Sequence, residues 1–577
     1  MQKGLFCNPP IIRPEEISMY DLKPYYRPVE LDDGLIRVYG KVHLTDLKDW
    51  DSFCVGSITA GYYFISRYLD MPIDGEKVLT EIVKLQDTDP NSYTYGCFHY
   101  CRGEKRIQDT NAGFFTTNYI ALALLMCPEK ITPREKEILA PALERATAWF
   151  RQECSTYGYF YPNKIASDGS LLMLLATVQK NETLLAEAYD FWNKYLDYTE
   201  QYGWGWGENT SKGYARILNN AFELTLICMD PGCETYARLL KIRNDLLDYM
   251  AFHDYYEVTP SIRTYNFKGN AKNYGAIEDL ALGAGLDGLE PAQLAEKDGK
   301  LSNSTMADLL LHWAAPKYIP KPNTETFRRE RIFGDSYATT FKGENIRLGT
   351  VSRYPVMCGC DQNRSERIGG WGLGWQSMPV SAVAVNHETS FLRYAAMADG
   401  VMHSHMAVGY VDKTLFPDEN IVDTYTFSRQ EGNCAVIARM VEHIANRASY
   451  FADEWYFQHF DGEVKTIGDW HVFDYGDCAL ALKNLTGKLE MIRDGENIRL
   501  VNKLYDGEDK LLVCRRFISC WAAVALDSTE DIEGQLAKIP TSAEKILDLR
   551  YAREDPRMLL TCGSATMDFD PDKTNLI

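Results

Sequence analysis

Residues 314–325, AAPKYIPKPNTE, separate two parts of the sequence that differ in the spacing of their apolar residues. Pro316, Pro320 and Pro322 lie close together here, and proline neither continues a helix nor donates to the hydrogen-bond ladder of a sheet. Apolar residues recur every three or four positions before this stretch, whereas after it they alternate or form short runs. The stretch therefore predicts a linker between a helical half and a β-rich half.

The chain before the linker, 51–320, is predicted to be a helical domain that forms an incomplete α/α toroid. Proline, glycine, asparagine and aspartate interrupt it at short intervals, as expected for antiparallel helix pairs with short connections. Residues 1–50 carry dispersed prolines and are predicted to form an extended N-terminal arm. The helical periods cover 51–69, 76–87, 112–127, 133–156, 168–179, 183–202, 211–229 and 234–252.

The chain after the linker, 321–577, is predicted to be an antiparallel β-sandwich domain. Asp494-Gly495 stands between two apolar-rich runs and indicates a β-hairpin turn. The predicted fold class is therefore a multidomain chain, α then β. Short strand-like runs fall at 337–341, 346–351, 391–397, 422–428, 434–441, 478–483 and 511–526.

Composition limits the classes of partner. The chain has 577 residues, a net charge of −20 and a pI of about 5.1. Phosphate contacts need a basic face, so nucleic acid is disfavoured as a partner. The same charge weighs against a polyanionic substrate unless basic residues gather in one groove. Aromatic residues make up 12% of the chain, and their flat rings suit the apolar faces of sugars.

The sequence also bears on location. It contains no apolar run long enough for a membrane span, and its N-terminus lacks an apolar run followed by a small-residue cleavage site. These features predict a cytoplasmic protein, and the 15 scattered cysteines fit a reducing compartment. Cys97, His99 and Cys101 are interpreted as core residues rather than as a metal site. No motif encodes the oligomeric state, and a homo-oligomer is left open.

The segment 201–222, QYGWGWGENTSKGYARILNNAF, runs from a glycine- and tryptophan-rich loop into a helix. Thr210 or Ser211 is the expected N-cap, and the free N–H groups of a helix N-terminus suit a substrate carboxylate. Asn209 could add a side-chain amide to that site, and Tyr214 lies about one turn further on. The candidate substrate-binding residues of this loop are Trp204, Trp206 and Glu208.

The segment 369–410 is the second candidate constellation, a tryptophan-rich loop followed by the motif HSH. His403 and His405 are separated by one residue, so on a strand they would point to the same face. Two imidazoles on one face suit a metal, or a metal ligand beside a catalytic group. Further candidate substrate-binding residues around this segment are Arg353, Arg364, Arg367, Trp371, Trp375 and Gln376.

The order of the two halves, together with these two motifs, resembles the alginate lyase and heparinase II/III-like polysaccharide lyases. The run ENTSKGY, 208–214, is similar to the toroid segment that supplies a carboxylate-neutralising Asn or His and a catalytic Tyr. The HSH strand is similar to their sandwich segment, in which one His faces the active site and the next can bind a structural zinc. The likeness covers most of the chain in architecture and two short motifs in detail. It ends after His405, where MAVGYVDK replaces an early Asp and an Asp-Pro-Gly-like turn.

The resemblance implies a lyase that cleaves an acidic oligosaccharide or polysaccharide by β-elimination. Asn209 would neutralise the uronate carboxylate, and Tyr214 and His403 would act as base and acid. No cofactor is required for this reaction. A structural zinc or calcium ion, if one is bound, would take its ligands from His405, Asp423 and His443.

Two other functions stay open. An inverting glycoside hydrolase needs two carboxylates, and Glu208 and Asp168 are the candidates because both are expected in loops at helix starts. A non-catalytic glycan-binding protein would use the tryptophans of the two motifs as sugar platforms. The product separates the two enzymes, because only a lyase leaves an ultraviolet-absorbing double bond.

Overall fold

The chain divides into two compact units, which are described separately. The first comprises Met1–Gln201, Ala215–Ala251 and Gly275–Lys321, and the second comprises Tyr202–Tyr214, Phe252–Tyr274 and Pro322–Ile577. The computed structural model describes residues 29–40, 44–47, 49–156, 158–254, 257–264, 302–320, 324–354, 356, 377–398, 401–404, 422–444, 447–511, 516–546 and 557–572.

The helical half consists of helices that pack against one another. Its described helices are α1 (Gly56–Tyr68), α2 (Gly75–Val83), α3 (Asn111–Met126), α4 (Pro133–Ser155), α5 (Pro162–Gln179), α6 (Glu182–Tyr202), α7 (Lys212–Cys228), α8 (Glu234–Phe252) and α9 (Asn303–Ala314). Helix α1 packs against α2, α3 and α9, while α4 packs against α2 and α5. Each helix buries an apolar face on its neighbours, which gives the layered helical array expected of a toroid. None of the described helices is both long and apolar enough to cross a membrane.

Local signals explain where these helices begin. At α4, the side chain of Thr132 accepts from the Glu135 N–H at 3.2 Å, and the Glu135 carboxylate accepts from the Thr132 N–H at 2.8 Å. This capping box satisfies two backbone donors that the helix itself leaves unpaired. Helix α5 begins six residues before the predicted period, at Pro162, because proline is well accommodated in a first turn.

The first unit also contains a small sheet that the sequence did not indicate. Strands β1 (Leu31–Asp32), β2 (Leu35–Tyr39) and β3 (Ser52–Val55) are antiparallel neighbours. Ile36 pairs with Val55, so the start of the predicted period 51–69 is a strand and the helix begins only at Gly56. The β-branched and aromatic residues of β3 favour this pairing over a helical first turn.

The second unit is an antiparallel β-sandwich. Its described strands are β4 (Phe327–Phe333), β5 (Ser336–Lys342), β6 (Ile346–Val351), β7 (Arg353–Tyr354), β8 (Val380–Ala384), β9 (Ser390–Ala398), β10 (Val401–Ser404), β11 (Val422–Glu431), β12 (Cys434–Ile444), β13 (Arg447–Phe457), β14 (Glu463–Ile467), β15 (Trp470–Asp474), β16 (Ala479–Asn484), β17 (Leu489–Asp494), β18 (Asn497–Leu511), β19 (Phe517–Leu526), β20 (Thr541–Ile546), β21 (Arg557–Cys562) and β22 (Ala565–Phe569). A short helix, α10 (Ile532–Ala537), precedes β20.

Two large sheets enclose the sandwich core. Within the described residues, one sheet has the order β17-β18-β13-β9-β8-β6-β5-β4, with β10 paired to β9, and the other has the order β14-β15-β16-β19-β12-β11-β7. Trp455 and Trp521 are fully buried between them, and the rings of Phe457 and Phe473 stack with centroids 3.6 Å apart. Asp494 pairs with Asn497, so the hairpin predicted at Asp494-Gly495 is confirmed.

A third layer covers the outer face of the smaller of these two sheets. Strands β20, β21 and β22 form a separate sheet, and Leu560 of β21 packs with Val436 and Val524 in one buried cluster. Alternate residues of β12, such as Ile437, face the core between the two large sheets instead. The predicted fold class, a helical α/α array followed by an antiparallel β-sandwich, is therefore confirmed.

Gly349 on β6 lies against the segment 257–264, and a side chain there has no room. A Cβ atom at this position would lie 2.2 Å from the Pro260 nitrogen and 2.3 Å from the Thr259 carbonyl carbon. Gly349→Ala should therefore lower the apparent free energy of unfolding by about 2 kcal/mol, because two backbones must separate. Urea unfolding followed by circular dichroism measures this change.

Gly158→Ala is the matched control for this substitution. A Cβ atom at Gly158 would meet nothing within 4 Å. This variant should change the unfolding free energy by less than about 0.5 kcal/mol. Equal effects of the two substitutions would contradict the close approach of β6 to the segment 257–264.

Candidate functional site

The glycine-rich loop is fixed on β4 of the sandwich unit. The Trp204 N–H donates to the Ile332 carbonyl at 2.6 Å. Gly203 has a φ of +104°, and a Cβ atom there would lie 2.3 Å from the same carbonyl oxygen. Only glycine combines this left-handed backbone with such a close approach, which accounts for the GWGWG pattern.

The loop leads into α7 through a short 3-10 turn, Glu208–Thr210. Ser211 occupies the N-cap position of α7, and its hydroxyl oxygen accepts from the Tyr214 N–H at 3.5 Å. The Lys212 N–H donates to the Glu257 carboxylate at 2.9 Å. The helix N-terminus was expected to receive a substrate carboxylate, but at Lys212 a carboxylate of the protein itself occupies it.

Arg263 is the centre of a buried cluster in the second unit. Its guanidinium forms an ion pair with Glu208 and donates to the Tyr214 hydroxyl at 2.9 Å. The same guanidinium lies 4.5 Å from the ring centroid of Tyr214 and 4.8 Å from that of Trp206. Three side chains that differ in chemistry thus meet around one cation, and all four residues are buried.

Backbone contacts hold Arg263 in place. The Ser211 hydroxyl donates to the Arg263 carbonyl at 3.2 Å, and the Arg263 N–H donates to the Ser377 hydroxyl at 3.3 Å. Arg263 has a φ of +55°, in the left-handed region that L residues rarely adopt. The neighbouring Ile262 N–H donates to the Thr210 carbonyl at 3.2 Å. The segment 257–264 is therefore anchored to the loop that carries Glu208.

Asn209 lies beside this cluster in the 3-10 turn. Its side-chain amide donates to the Arg331 carbonyl at 3.4 Å, a long hydrogen bond. Its amide oxygen is buried and has no hydrogen-bond partner among the described residues. The unpaired atom is therefore an acceptor, and a carboxylate at this position would need an N–H donor of the Asn209 amide.

The two tryptophans of the loop differ in environment. Trp206 is 1% exposed and the Arg263 guanidinium covers one of its faces, so its ring is an interior side chain and offers no open face to a sugar. Trp204 is only partly buried. Arg353, another predicted substrate-binding residue, pairs with Asp335 at 2.9 Å.

The structure locates only part of the second constellation. His403 lies on β10, opposite Ala396 of β9. Asp423 and His443 are directly opposite one another on β11 and β12. The predicted residues that lie outside the described residues are Arg364, Arg367, Trp371, Trp375, Gln376 and His405.

The predicted metal site is not tested, because His405 lies outside the described residues. No group of three or more His, Cys, Asp or Glu side chains among those residues could hold a metal ion. Cys97 and Cys101 are buried, and burial raises the pKa of each thiol to about 12. Their burial fits the interpretation of these cysteines as core residues.

Asp168, the second carboxylate of the hydrolase alternative, is not in a loop at a helix start. It lies in the second turn of α5, where it is buried and forms an ion pair with Lys164. Lys164 also contacts Glu153 at 2.6 Å. Burial raises the pKa of Asp168 although Lys164 opposes the shift. The expectation was wrong because the helix begins at Pro162, which places Asp168 inside it.

Two central residues of the cluster escaped the sequence analysis. Arg263 and Glu257 lie in a short irregular segment with no motif, and Arg263 is separated from Tyr214 by 49 positions. The one local signal was the sequence TPSIRT, 259–264, a polar stretch with a proline and a lone arginine. Nothing in this stretch distinguishes it from other loops, so its contacts with Glu208 and Tyr214 could not be predicted from the sequence.

Comparison with known proteins gives likenesses in fold. No protein-family model matches the sequence, and no curated protein matches it. A chondroitin AC lyase from Streptomyces coelicolor, solved in complex with chondroitin sulphate, is 11% identical, with 88% of this chain and 79% of that chain covered and a TM-score of 0.47. A heparinase III is 12% identical, with 88% and 83% covered and a TM-score of 0.35.

A xanthan lyase from Paenibacillus is a further likeness, 8% identical, with 84% of this chain and 55% of that chain covered and a TM-score of 0.38. These solved structures are polysaccharide lyases, the superfamily that the two sequence motifs resemble.

The Glu208–Arg263 pair gives a direct test of the cluster. Arg263→Met should lower the apparent free energy of unfolding by about 3–5 kcal/mol, because the Glu208 carboxylate is then buried without its cation. The double variant Glu208→Leu, Arg263→Met should lose less than the sum of the two single variants. Chemical denaturation of the four proteins measures this coupling.

The exposed pair of Arg151 and Glu187 provides the control. Their side chains approach to 2.6 Å, but both are about two-fifths exposed to solvent. Arg151→Met should therefore change stability by less than about 1 kcal/mol. Strict additivity of the Glu208 and Arg263 substitutions would show that the two side chains do not interact.

Proposed function

We propose that this chain is a polysaccharide lyase that cleaves a uronic-acid-containing glycan by β-elimination, with Tyr214 and Arg263 at the reacting centre. The observation that carries the proposal is the hydrogen bond of 2.9 Å from the Arg263 guanidinium to the Tyr214 hydroxyl. A free tyrosine is a poor base because its pKa is near 10. A cation bound to the hydroxyl oxygen favours the phenolate, which is the form that can accept a proton.

The proposed reaction begins with the substrate carboxylate. Hydrogen bonding at this carboxylate makes the proton on C5 more acidic, and Asn209 is the group proposed to supply it. Asn209 is buried, and one of the two N–H donors of its side-chain amide goes to the Arg331 carbonyl, so the second is the donor proposed for the substrate carboxylate. The Lys212 N–H at the start of α7 is committed to Glu257, which leaves this task to the side chain of Asn209.

The base then removes the C5 proton, and the C4–O bond breaks. The electron pair of the C5–H bond forms the C4–C5 double bond, and the electron pair of the C4–O bond goes to the leaving oxygen. An acid protonates that oxygen, so no water is consumed. Tyr214 and His403 are the proposed pair, and the configuration at C5 decides which of the two acts as the base.

Glu208 has a positioning role in this proposal. Its carboxylate is fully buried and holds one side of the Arg263 guanidinium. The guanidinium is thereby oriented so that its other terminal nitrogen donates to Tyr214. Because Glu208 balances the charge of Arg263, the pair adds no net charge to the site. The chain as a whole has a net charge of −20, which does not attract an acidic glycan, so hydrogen bonds have to bind the substrate.

Tyr214→Phe should lower kcat by a factor of about 10²–10⁴, the usual contribution of a general acid or base. The substrates are chondroitin sulphate, heparin, xanthan and alginate, and the readout is ultraviolet absorbance of the unsaturated product. Tyr202→Phe is the matched control, since Tyr202 is 42% exposed and stacks on Phe333. Wild-type turnover in Tyr214→Phe would remove Tyr214 from the mechanism.

His403→Ala should reduce product formation by a similar factor if His403 is the partner of Tyr214. His459→Ala is the control, because His459 is exposed and pairs with Glu496 at 2.6 Å. A reducing-sugar product without ultraviolet absorbance would overturn the lyase proposal in favour of a hydrolase. Binding of these glycans without any turnover would favour a binding protein instead.

A further inference from the structure

The helical unit contains a cavity of about 520 Å³, a size typical of small-molecule sites. Its walls come from helices α1, α3, α7 and α9 and from strand β2. Every lining residue belongs to this unit, and neither Tyr214 nor Arg263 is among them. We infer that this cavity is a second ligand site, which binds a neutral mono- or disaccharide.

Aromatic rings form one wall of the cavity. Phe114 and Phe115 of α3 meet edge to face, with ring centroids 5.5 Å apart. Tyr100 and Tyr119 also line the space. Such rings offer flat apolar surfaces to the C–H faces of a sugar ring, and they exclude water from the contact.

Polar side chains also line the cavity. The Asp308 carboxylate accepts from the Asn220 side-chain amide at 3.0 Å. The amide oxygens of Asn220 and Asn118 have no hydrogen-bond partner among the described residues. Both oxygens are buried within the protein, so the acceptor that the lining offers to a ligand is the Asp308 carboxylate, which suits a ligand with donor groups. Sugar hydroxyls are donors of the required kind.

The charges around the cavity select a neutral ligand. Glu30 and Asp308 are acidic and Arg37 and Arg216 are basic, so their formal charges cancel. Arg37 is committed to an ion pair with Asp32 and donates to the Ser52 hydroxyl at 2.7 Å. Burial raises the pKa of Asp308 to about 6 although the charge of Arg216 opposes the shift. A uronate in this cavity would therefore face the Asp308 carboxylate, and Arg37 is already paired with Asp32.

This inference is independent of the proposed lyase reaction, and binding to the full chain tests it. Isothermal titration calorimetry with cellobiose and with maltose should show saturable one-to-one binding of at least one of them. Glucuronic acid, the acidic comparison, should not bind at this cavity. Tyr214→Phe should leave the affinity for the neutral disaccharide unchanged, because Tyr214 does not line the cavity.

Ala307→Leu fills the cavity without removing any polar group, since Ala307 lies on its α9 wall. It should weaken binding at least about tenfold, whereas Ala186→Leu, the same change at an exposed position of α6, should not. Asn118→Ala is a second variant, expected to weaken binding about fivefold to tenfold through loss of a polar side chain that lines the cavity. Thermal unfolding checks that each variant folds.

Several outcomes would overturn the inference. The first is that neither disaccharide binds, and the second is that glucuronic acid displaces the bound disaccharide. Alternatively, the folded Ala307→Leu or Asn118→Ala variant binds with wild-type affinity. Loss of neutral-sugar binding in Tyr214→Phe would also overturn it, because the ligand would then occupy the Tyr214–Arg263 cluster. Loss of lyase activity in Tyr214→Phe with retained disaccharide binding would separate the two sites.

Discussion

The ion pair of Glu208 and Arg263 is the interaction on which the candidate site depends. Two charges that are removed from water each lose several kcal/mol of hydration free energy. Only a close, well-oriented ion pair with hydrogen bonds compensates for this loss. The pair meets this condition, and the rings of Trp206 and Tyr214 lie against the same guanidinium. A cation held on so many sides has little freedom to turn. The hydroxyl of Tyr214 therefore faces a donor whose position is set before any ligand arrives.

Close backbone approaches support this pair. The loop that carries Glu208 reaches the Ile332 carbonyl at Gly203, and the segment that carries Arg263 lies against Gly349. Both contacts depend on the absence of a side chain, since a Cβ atom at either glycine would overlap backbone atoms. The pair is thus held by two segments that are distant in sequence and joined through the strands of the sandwich unit.

Much of the architecture follows from local signals in the sequence. Proline at the start of α5, the capping box at Thr132 and the turn at Asp494-Gly495 each have a physical cause within a few residues. The position of Ser211 at the start of α7 was predictable in the same way. Arg263 was not, because its partners Glu208 and Tyr214 are 55 and 49 positions away. The burial of Trp206 could not be predicted either, since a tryptophan in a glycine-rich loop has the same sequence context whether it is buried or exposed.

The third layer of the sandwich unit has a consequence for the C-terminal part of the chain. Strand β12 is buried on both faces, with Val436 covered by the sheet β20-β21-β22 and Ile437 covered by the sandwich core. A chain cut between α10 and β20 would uncover a row of valine, alanine and methionine side chains on a regular sheet. A surface of that kind promotes self-association. Strands β20, β21 and β22 therefore shield this sheet face from solvent, and their loss by proteolysis would favour aggregation of the remaining chain.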